Sequence, residues 1–432
     1  MGKIKNNRDT EYKWHKLDNT ANIFPVISSK NFSSVYRVSV RLTEDIIPEI
    51  LQNALDVTLP FFDGFQVRLR HGIFWYYFEA NKKQPLIAKE QAVPCAYIIP
   101  SSNNQFLFKV YYFKKRISLE VFHAITDGTG ALNFLKELTC NYIRLSNQDE
   151  FAGGYIAGPS VDMTSNIEDS YVKNFKKQNK SYYSTKKAYQ MKGPKLPLYT
   201  IGVIHGYMDR QSLLDLCRSK KASITQYLAT IVIWCIYKEY LNEQPHKHPI
   251  QVSIPVNLRP FYDSTTTMNF FSVIAVGLCI ERSDYTFEEM LDIIKCQFKA
   301  QLTKENFSGK IAFNVATGKN LFVRFLPLPL KNLFVKIGYL RSAKANSISF
   351  SNLGRIEVPV MYKKYIENFE ILLSATNSEP TKCGLCTFED KFVVTFTSRL
   401  SDTYLQRAFF RRLASDGLEI KIESNGAYNE NM

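Results

Sequence analysis

The spacing of apolar and polar residues changes several times along the chain, which predicts strands that alternate with helices. In the first third of the chain the pattern predicts five strands: residues 33–42, 65–70, 73–79, 106–112 and 116–123. Apolar residues recur at helical spacing in residues 46–55 and again after Gly130. His123 therefore ends a predicted strand, and Asp127-Gly128 lies in the turn before a predicted helix.

Residues 151–196 lack this periodicity. Gly, Pro, Ser and Lys accumulate there, which is typical of a long crossover or linker. Beyond residue 197 the pattern returns, and Ser223 with Gln226 predicts a helix start, because the two side chains can cap each other's backbone N–H groups. The later predicted elements are strands at residues 251–255, 273–280, 348–350, 370–375, 392–398 and 418–422 and helices at 287–302 and 403–413.

These patterns predict three parts: a first lobe at residues 1–150, a linker at 151–196 and a second lobe at 197–432. The length of 432 residues suits two domains better than one core. Each lobe mixes strands with helices, so the predicted fold class is α/β, in the form of a two-domain α/β sandwich. Aromatic residues make up 14% of the chain, which is ample for a site that encloses an apolar ligand.

The start of the chain is polar, and no apolar segment of the signal-peptide type follows it. The longest candidate membrane segment, residues 227–237, is about half as long as the ~20 residues that a span requires. We therefore expect no transmembrane segment and a cytoplasmic protein.

The eight cysteines are scattered, and we expect them to be reduced thiols. Cys383 and Cys386 form a C-x-x-C pair, but a zinc site would need a second pair or suitably spaced histidines nearby. We therefore expect a strand and turn at this pair, and no metal site in the protein.

The formal net charge of +15 favours an anionic partner, such as a nucleic acid, an anionic lipid or an anionic cofactor. For any single run of lysines, a solvated face is the simpler explanation. Because the sequence contains no nucleic-acid-binding motif, we expect no nucleic-acid partner.

His123 is the histidine whose position suits chemistry, because it ends a strand and Asp127 follows four residues later. A neutral imidazole can accept a proton near neutral pH, and Gly128 would permit a turn that a Cβ hinders. Asp127 could brace this turn through an arginine. The same residues are equally well explained by a buried histidine bonded to the backbone and an aspartate that only caps the helix.

Two further segments place polar residues at the ends of predicted strands. Asn257 and Arg259 follow one strand, and an arginine among apolar residues calls for a carboxylate partner. Ser351 and Asn352 follow another, where they could stabilise an oxyanion or line a channel. Each segment taken alone is also an ordinary turn.

The segment from His123 to Gly128 resembles the active-site signature of the chloramphenicol acetyltransferase-like superfamily, which includes alcohol acetyltransferases, plant and mycobacterial acyltransferases and condensation domains. The likeness to bacterial alcohol acetyltransferases covers nearly the whole chain, through residues 14–19, 74–79, 255–259 and 351–354. It implies two lobes, each a mixed β-sheet flanked by helices. It also implies that His123 is a general base and that Asp127 is structural and pairs with an arginine, here Arg259.

The sequence departs from two branches of this superfamily. Condensation domains usually carry a second histidine where this chain has Phe122, and the D-F-G-W-G signature of the plant branch is absent. These departures leave the substrate and the acyl donor open.

The resemblance implies an acyltransferase that moves an acyl group, with acetyl the expected one, from a coenzyme A thioester directly to a small alcohol or amine. Acyl-CoA is then a co-substrate, and no cofactor is bound. A second hypothesis is that the acyl donor is an acyl carrier protein. Such a carrier is acidic, so a basic surface on this protein would suit it equally well. A third hypothesis is that the chain is a non-catalytic basic binding protein, although such a protein would not need the His123 motif. We expect a monomer, since the two-lobed plan needs no second chain.

Overall fold

Strands and helices alternate along the part of the chain that the structure describes. The structure is a computed structural model and describes residues 14–30, 32–90, 93–151, 167–177, 181–183, 186–197 and 199–428. Its strands are β1 (Trp14–Lys16), β2 (Val35–Leu42), β3 (Val67–His71), β4 (Tyr76–Ala80), β5 (Ala88–Lys89), β6 (Phe108–Phe113), β7 (Arg116–Phe122), β8 (Gly202–Asp209), β9 (Ile250–Asn257), β10 (Phe271–Leu278), β11 (Ile348–Arg355), β12 (Ile366–Leu373), β13 (Thr381–Phe388), β14 (Lys391–Ser398) and β15 (Lys421–Ser424).

The helices vary from single turns to five turns. They are α1 (Phe24–Ile27), α2 (Pro48–Thr58), α3 (Gly128–Ser146), α4 (Gln148–Phe151), α5 (Ser170–Lys173), α6 (Arg210–Ser219), α7 (Ile224–Glu239), α8 (Arg259–Tyr262), α9 (Phe287–Gln301), α10 (Lys304–Lys319), α11 (Leu321–Phe325), α12 (Leu328–Ala343), α13 (Val360–Lys363) and α14 (Tyr404–Ser415).

Two mixed sheets organise the molecule, and a small antiparallel sheet of β1, β4 and β3 accompanies them. The five-stranded sheet has the order β12-β2-β7-β6-β5, in which only β5 and β6 are parallel. The seven-stranded sheet has the order β10-β9-β11-β13-β14-β8-β15, in which β11 is parallel to both of its neighbours. The predicted fold class is confirmed: each lobe is a mixed sheet flanked by helices.

Each sheet has its own hydrophobic core. Helices α2 and α3 pack together over the five-stranded sheet, and α7, α9 and α14 form the layer of the seven-stranded sheet. Helix α7 begins with the predicted capping box, in which Ser223 accepts from the Gln226 N–H and Gln226 accepts from the Ser223 N–H. Its residues 227–237 are buried except for Trp234, so this apolar run is a core helix. Within the described residues no helix is long and apolar enough to cross a bilayer.

One strand from the second half of the chain belongs to the sheet of the first lobe. Strand β12 pairs antiparallel with β2, so residues 366–373 complete the five-stranded sheet of the first lobe. The predicted division at residues 150 and 197 assigns β12 to the second lobe and so does not include its pairing with β2. Those boundaries remain a prediction. Because β12, an edge strand of this sheet, also contacts β13 and β14 of the other sheet, it joins the two sheets.

Helices α10 and α12 were not predicted from the sequence, and the strand expected at the C-x-x-C pair is β13, which contains both cysteines without a turn between them. Strand β13 contains Cys383 and Cys386, which are both buried, and Cys386 Sγ donates to the Phe369 carbonyl at 3.0 Å. Among the described residues, no group of three or more His, Cys, Asp or Glu side chains is arranged to hold a metal ion.

Candidate active site

His123 lies directly after β7, on the wall of a cavity of about 220 Å³. Its backbone N–H donates to the Ser34 carbonyl at 3.0 Å. Its ring stacks on Phe24, with the ring centroids 4.4 Å apart, and meets the edge of Tyr36 at 4.9 Å. The rest of the cavity wall comes from both halves of the chain, so the site lies where the two lobes meet.

The hydrogen bond at Nδ1 determines the tautomer of His123. Nδ1 lies 3.0 Å from Oδ1 of Asn269. The Asn269 amide is oriented by Asp18, because Asp18 Oδ2 accepts from Asn269 Nδ2 at 2.9 Å. An amide oxygen only accepts hydrogen bonds, so Nδ1 carries the proton and Nε2 keeps its lone pair. Burial also lowers the pKa of His123, and hydrogen bonds to its own backbone and to Asn269 offset part of this effect.

Asp18 is completely buried, and its partners are N–H groups rather than a cation. Its Oδ1 accepts from the backbone N–H groups of Thr20 and Ala21 at 2.9 and 2.7 Å. Burial raises the pKa of Asp18 to about 7, although the hydrogen bonds from Asn269 and Ala21 work in the opposite direction. The carboxyl group therefore changes charge near neutral pH.

Asp127 combines the two roles that the sequence left open for it. Its side chain caps α3 by accepting from the Thr129 and Gly130 N–H groups, each at 3.1 Å. It also forms a bidentate pair with Arg259, at 2.9 Å for Oδ2–Nη1 and 3.1 Å for Oδ1–Nη2. Oδ2 additionally accepts from the Phe270 N–H at 2.9 Å. Both carboxylate oxygens are thus engaged in holding the two lobes together.

Each side-chain nitrogen of Arg259 donates a hydrogen bond. Its Nε donates to the Thr266 carbonyl at 2.8 Å, and Nη2 donates to the Met268 carbonyl at 2.7 Å. Asn257 Oδ1 accepts from both the Arg259 N–H and Nη1 at 3.1 Å. The side chain of Arg259 therefore fixes the loop that carries Asn269 and Phe270.

Gly128 is required for space rather than for backbone freedom. Sequence reasoning attributes it to a turn, but its φ lies outside the left-handed region. A Cβ at Gly128 would lie 2.8 Å from Cδ2 of Leu353, a residue of β11. The start of α3 thus packs directly against the second lobe, and a side chain at position 128 would force the Leu353 side chain to move.

Ser351 and Asn352 line the cavity, but they lie inside β11 and do not follow its end as the sequence pattern suggests. The Asn352 amide is already used, because Nδ2 donates to Thr225 Oγ1 at 3.1 Å and Oδ1 accepts from the Gly354 N–H at 2.8 Å. Within the described residues, the Ser351 hydroxyl has no hydrogen-bond partner. Of the two, only Ser351 offers a hydroxyl that can turn to a ligand.

Three polar residues of the site were not assigned a role from the sequence: Asp18, Asn269 and Lys382. Asp18 lies within residues 14–19, a segment that carries part of the family resemblance, and Asn269 precedes the predicted strand at residues 273–280, but nothing in either segment alone shows that the two residues meet. Lys382, on β13, lines the cavity and pairs with Glu379 at 3.1 Å. No sequence signal distinguishes this lysine from the others.

No protein-family model matches the sequence, and no curated protein matches it. Solved structures do match the fold. TRI101 of F. sporotrichioides, solved with coenzyme A and T-2, is 11% identical with a TM-score of 0.59, over 94% of this chain and 99% of that chain. The trichothecene 15-O-acetyltransferase TRI3 of Fusarium sporotrichioides is 10% identical with a TM-score of 0.60, over 93% and 94%.

A condensation domain is equally similar. The first condensation domain of the calcium-dependent antibiotic synthetase is 12% identical with a TM-score of 0.62, over 93% of this chain and 96% of that chain. At such low identities the likeness concerns the fold. The chain therefore has the two-lobed fold found in coenzyme A-dependent acyltransferases and condensation domains.

Proposed function

We propose that the protein transfers an acyl group from a thioester to an alcohol or amine, with His123 as the general base. The observation that carries this proposal is the orientation of the His123 ring. Asn269 holds the proton on Nδ1, so Nε2 keeps its lone pair, and His123 lines the cavity. A neutral imidazole held in this way can take a proton from a bound hydroxyl or amine.

In the proposed reaction the acceptor gives its proton to Nε2 of His123 while its oxygen or nitrogen attacks the thioester carbonyl carbon. The carbonyl oxygen takes the electron pair and becomes an oxyanion. When the carbonyl forms again, the carbon–sulfur bond breaks, and the leaving thiolate takes the proton from His123. No side chain is acylated, so both substrates are bound at the same time.

Ser351 is the proposed oxyanion donor, since its hydroxyl lines the cavity and is free to turn. Asp127, Gly128, Arg259 and Asn257 support the site, because their contacts join the two lobes and hold the loop next to His123. Asn352 is proposed to shape the wall, since its amide already bonds Thr225 and Gly354.

Coenzyme A is the proposed carrier of the acyl group, and acetyl is the proposed acyl group. The net charge of +15 suits the phosphates of coenzyme A, and TRI101, which shares the fold, was solved with coenzyme A. A carrier-protein thioester is the alternative donor, supported by the similarity to a condensation domain. The acceptor is proposed to be small and partly apolar, because the cavity wall includes Phe24, Phe32 and Phe271.

The test is a thiol-release assay with acetyl-CoA, longer acyl-CoA thioesters and an acyl carrier protein, each against a panel of alcohols and amines. Replacing His123 by Ala should lower kcat by about 10²–10⁴-fold, the usual contribution of a positioned base. His71→Ala serves as the control, because this histidine lies at the exposed end of β3, away from the cavity. An unchanged rate in His123→Ala would return this residue to a purely structural role.

The direct transfer has its own test. Initial-rate patterns should show both substrates bound before product leaves, and no acylated protein should be found by mass spectrometry after incubation with acyl-CoA alone. A ping-pong pattern with an acyl adduct would contradict the direct transfer.

A further inference from the structure

Helices α11 and α12 expose large apolar side chains to solvent. On α11, Phe322 and Phe325 are 90% and 71% exposed. We call the surface formed by six exposed side chains the apolar patch: Trp75, Phe322, Phe325, Leu333, Phe334 and Ile337. Single exposed apolar side chains are common, whereas a contiguous group of this kind marks a docking surface.

Helix α12 exposes a row of apolar residues to solvent, in addition to the apolar residues on its inner side. Its exposed apolar residues recur at positions 330, 333, 334, 337 and 340, which is the spacing of one helical face. The opposite side is attached to the protein: Leu328 is buried, Lys331 Nζ donates to the Phe74 carbonyl at 2.7 Å, and Tyr339 lines the cavity. A surface helix of a globular protein normally has the reverse arrangement.

The turn between β3 and β4 extends the patch beyond the helices. The Leu328 N–H donates to the Ile73 carbonyl at 2.8 Å, and Asn332 Nδ2 donates to the Tyr76 hydroxyl at 2.8 Å. These bonds hold the turn beside the start of α12. Ile73 and Trp75, which are 72% and 52% exposed, therefore lie next to the apolar face of the helix.

The charges of the segment that contains α11 and α12 have one sign. Residues 319–344 contain six Lys or Arg and no Asp or Glu: Lys319, Arg324, Lys331, Lys336, Arg341 and Lys344. Arg324, Lys336 and Arg341 are exposed beside the apolar side chains. Aromatic and leucine side chains with a margin of cations are the pattern of a helix that lies in the interface of an anionic membrane.

We propose that the apolar patch docks on an anionic lipid bilayer, with its apolar side chains among the headgroups and its cations at the lipid phosphates. A second copy of the chain is a poorer occupant, because a two-fold contact would bring these cations against each other. This proposal does not depend on the transfer chemistry. Since Tyr339 of α12 also lines the cavity, docking would bring one wall of the site close to the membrane.

The experiment is vesicle co-sedimentation of the full chain. Vesicles of phosphatidylcholine alone are compared with vesicles that contain one quarter phosphatidylglycerol, at low and high salt. The protein should pellet with the anionic vesicles at low salt and less at high salt. Emission from Trp75 should shift to the blue on binding, because this side chain would leave water.

Three variants separate the contributions. Phe322→Ser, Phe325→Ser and Phe334→Ser together should reduce binding at least about tenfold, because three exposed apolar side chains are lost. Arg324→Gln, Lys336→Gln and Arg341→Gln together should remove the preference for phosphatidylglycerol. The matched control is Val360→Ser with Met361→Ser, which changes exposed apolar side chains on α13, outside the patch, and should bind as the wild type does.

The proposal is overturned if the wild type stays in the supernatant with anionic vesicles, or if the triple serine variant binds as well as the control. Sedimentation equilibrium without lipid provides a second way to overturn it. A dimer that dissociates in the triple serine variant would show that a second copy covers the patch.

Discussion

Two buried carboxylates, Asp18 and Asp127, come from the first half of the chain and hold neighbouring residues of the second half. Asp18 accepts from the backbone and side chain of Asn269, and Asp127 accepts from the backbone of Phe270. They differ in what balances their charge. Asp127 faces the Arg259 guanidinium, whereas Asp18 faces N–H groups only, and its pKa rises to about 7.

This difference separates two tasks around His123. The Asp127–Arg259 pair keeps its charges balanced inside the protein, so it suits a permanent connection between the lobes. Asp18 can change its charge, and it orients the amide that holds His123 Nδ1. We therefore expect changes at Asp127 to affect mainly stability and changes at Asp18 to affect mainly the rate and its pH dependence.

The largest effect is expected from Asp127→Asn. This change leaves the buried Arg259 without its counter-charge, which costs roughly 3–5 kcal/mol of the free energy of unfolding. Denaturant unfolding measures this loss. The control is Asp209→Asn, since Asp209 also caps a helix but is exposed and forms no salt bridge with the residues that the structure describes; asparagine caps a helix about as well as aspartate, so this variant should lose little stability. Full stability with a loss of turnover only would give Asp127 a direct chemical role instead.

The second prediction concerns stability as a function of pH. Asp18 has an ordinary pKa of 3.8 and a pKa of about 7 in the folded protein. Between these values the folded chain holds a proton that the unfolded chain has released, so this group's contribution to stability falls as pH rises from about 4 to about 7. In Asp18→Asn this part of the decline should be absent. Melting temperatures of both proteins across this interval measure it, and parallel curves would show that Asp18 ionises normally.

The third prediction concerns turnover in Asp18→Asn at pH 8, where Asp18 of the wild type is ionised. The amide at position 18 would point an N–H donor at the Asn269 amide, which favours rotation of that amide so that its Nδ2 faces His123. Nδ1 of His123 must then accept a hydrogen bond from Nδ2, so the ring proton moves to Nε2. Nε2 then lacks the lone pair that a general base needs. We expect kcat to fall by about 10²-fold, as for a misplaced reacting group.

A purely structural effect of Asp18→Asn would lower the rate equally at every pH. The expected signature is different: ionisation of Asp18 should raise kcat/KM of the wild type near pH 7, and this rise should be absent in Asp18→Asn. Nitrogen NMR of the His123 ring gives an independent readout, because it reports which nitrogen carries the proton.

The sequence was sufficient for the parts of the site that local patterns encode. The strand before His123, the turn at Asp127 and the helix after Gly128 all follow from apolar periodicity, whereas the contact of Asp127 with Arg259 was implied by the family resemblance. Asn269 could not be assigned in this way. Its contact with Asp18 joins residues 251 positions apart and exists only once the lobes are assembled.

Helix α12 was missed for a different reason. Apolar residues lie on both of its sides, with Phe334 exposed and Leu328 buried, so the sequence shows no clear division into an apolar and a polar face. Strand β12 shows a limit at the level of topology. Its apolar run predicts a strand, but nothing in the run shows that it pairs with β2 of the other lobe.

The smallest effect is expected from Asn269→Ala, which removes the amide without replacing it. His123 Nδ1 then loses its partner, and both tautomers become accessible, so a fraction of the molecules keeps Nε2 free. We expect kcat to fall about tenfold, or about 1.4 kcal/mol, less than in Asp18→Asn, where the wrong tautomer is favoured. The hydrogen bond that His123 Nδ1 donates to Asn269 raises the pKa of His123, so its loss should move the ionisation of His123 to lower pH. Titration of the ring by NMR checks this shift. A rate in Asn269→Ala lower than in Asp18→Asn would show that the amide supports more than the tautomer, and the separation of the two carboxylates into one that holds and one that orients would then fail.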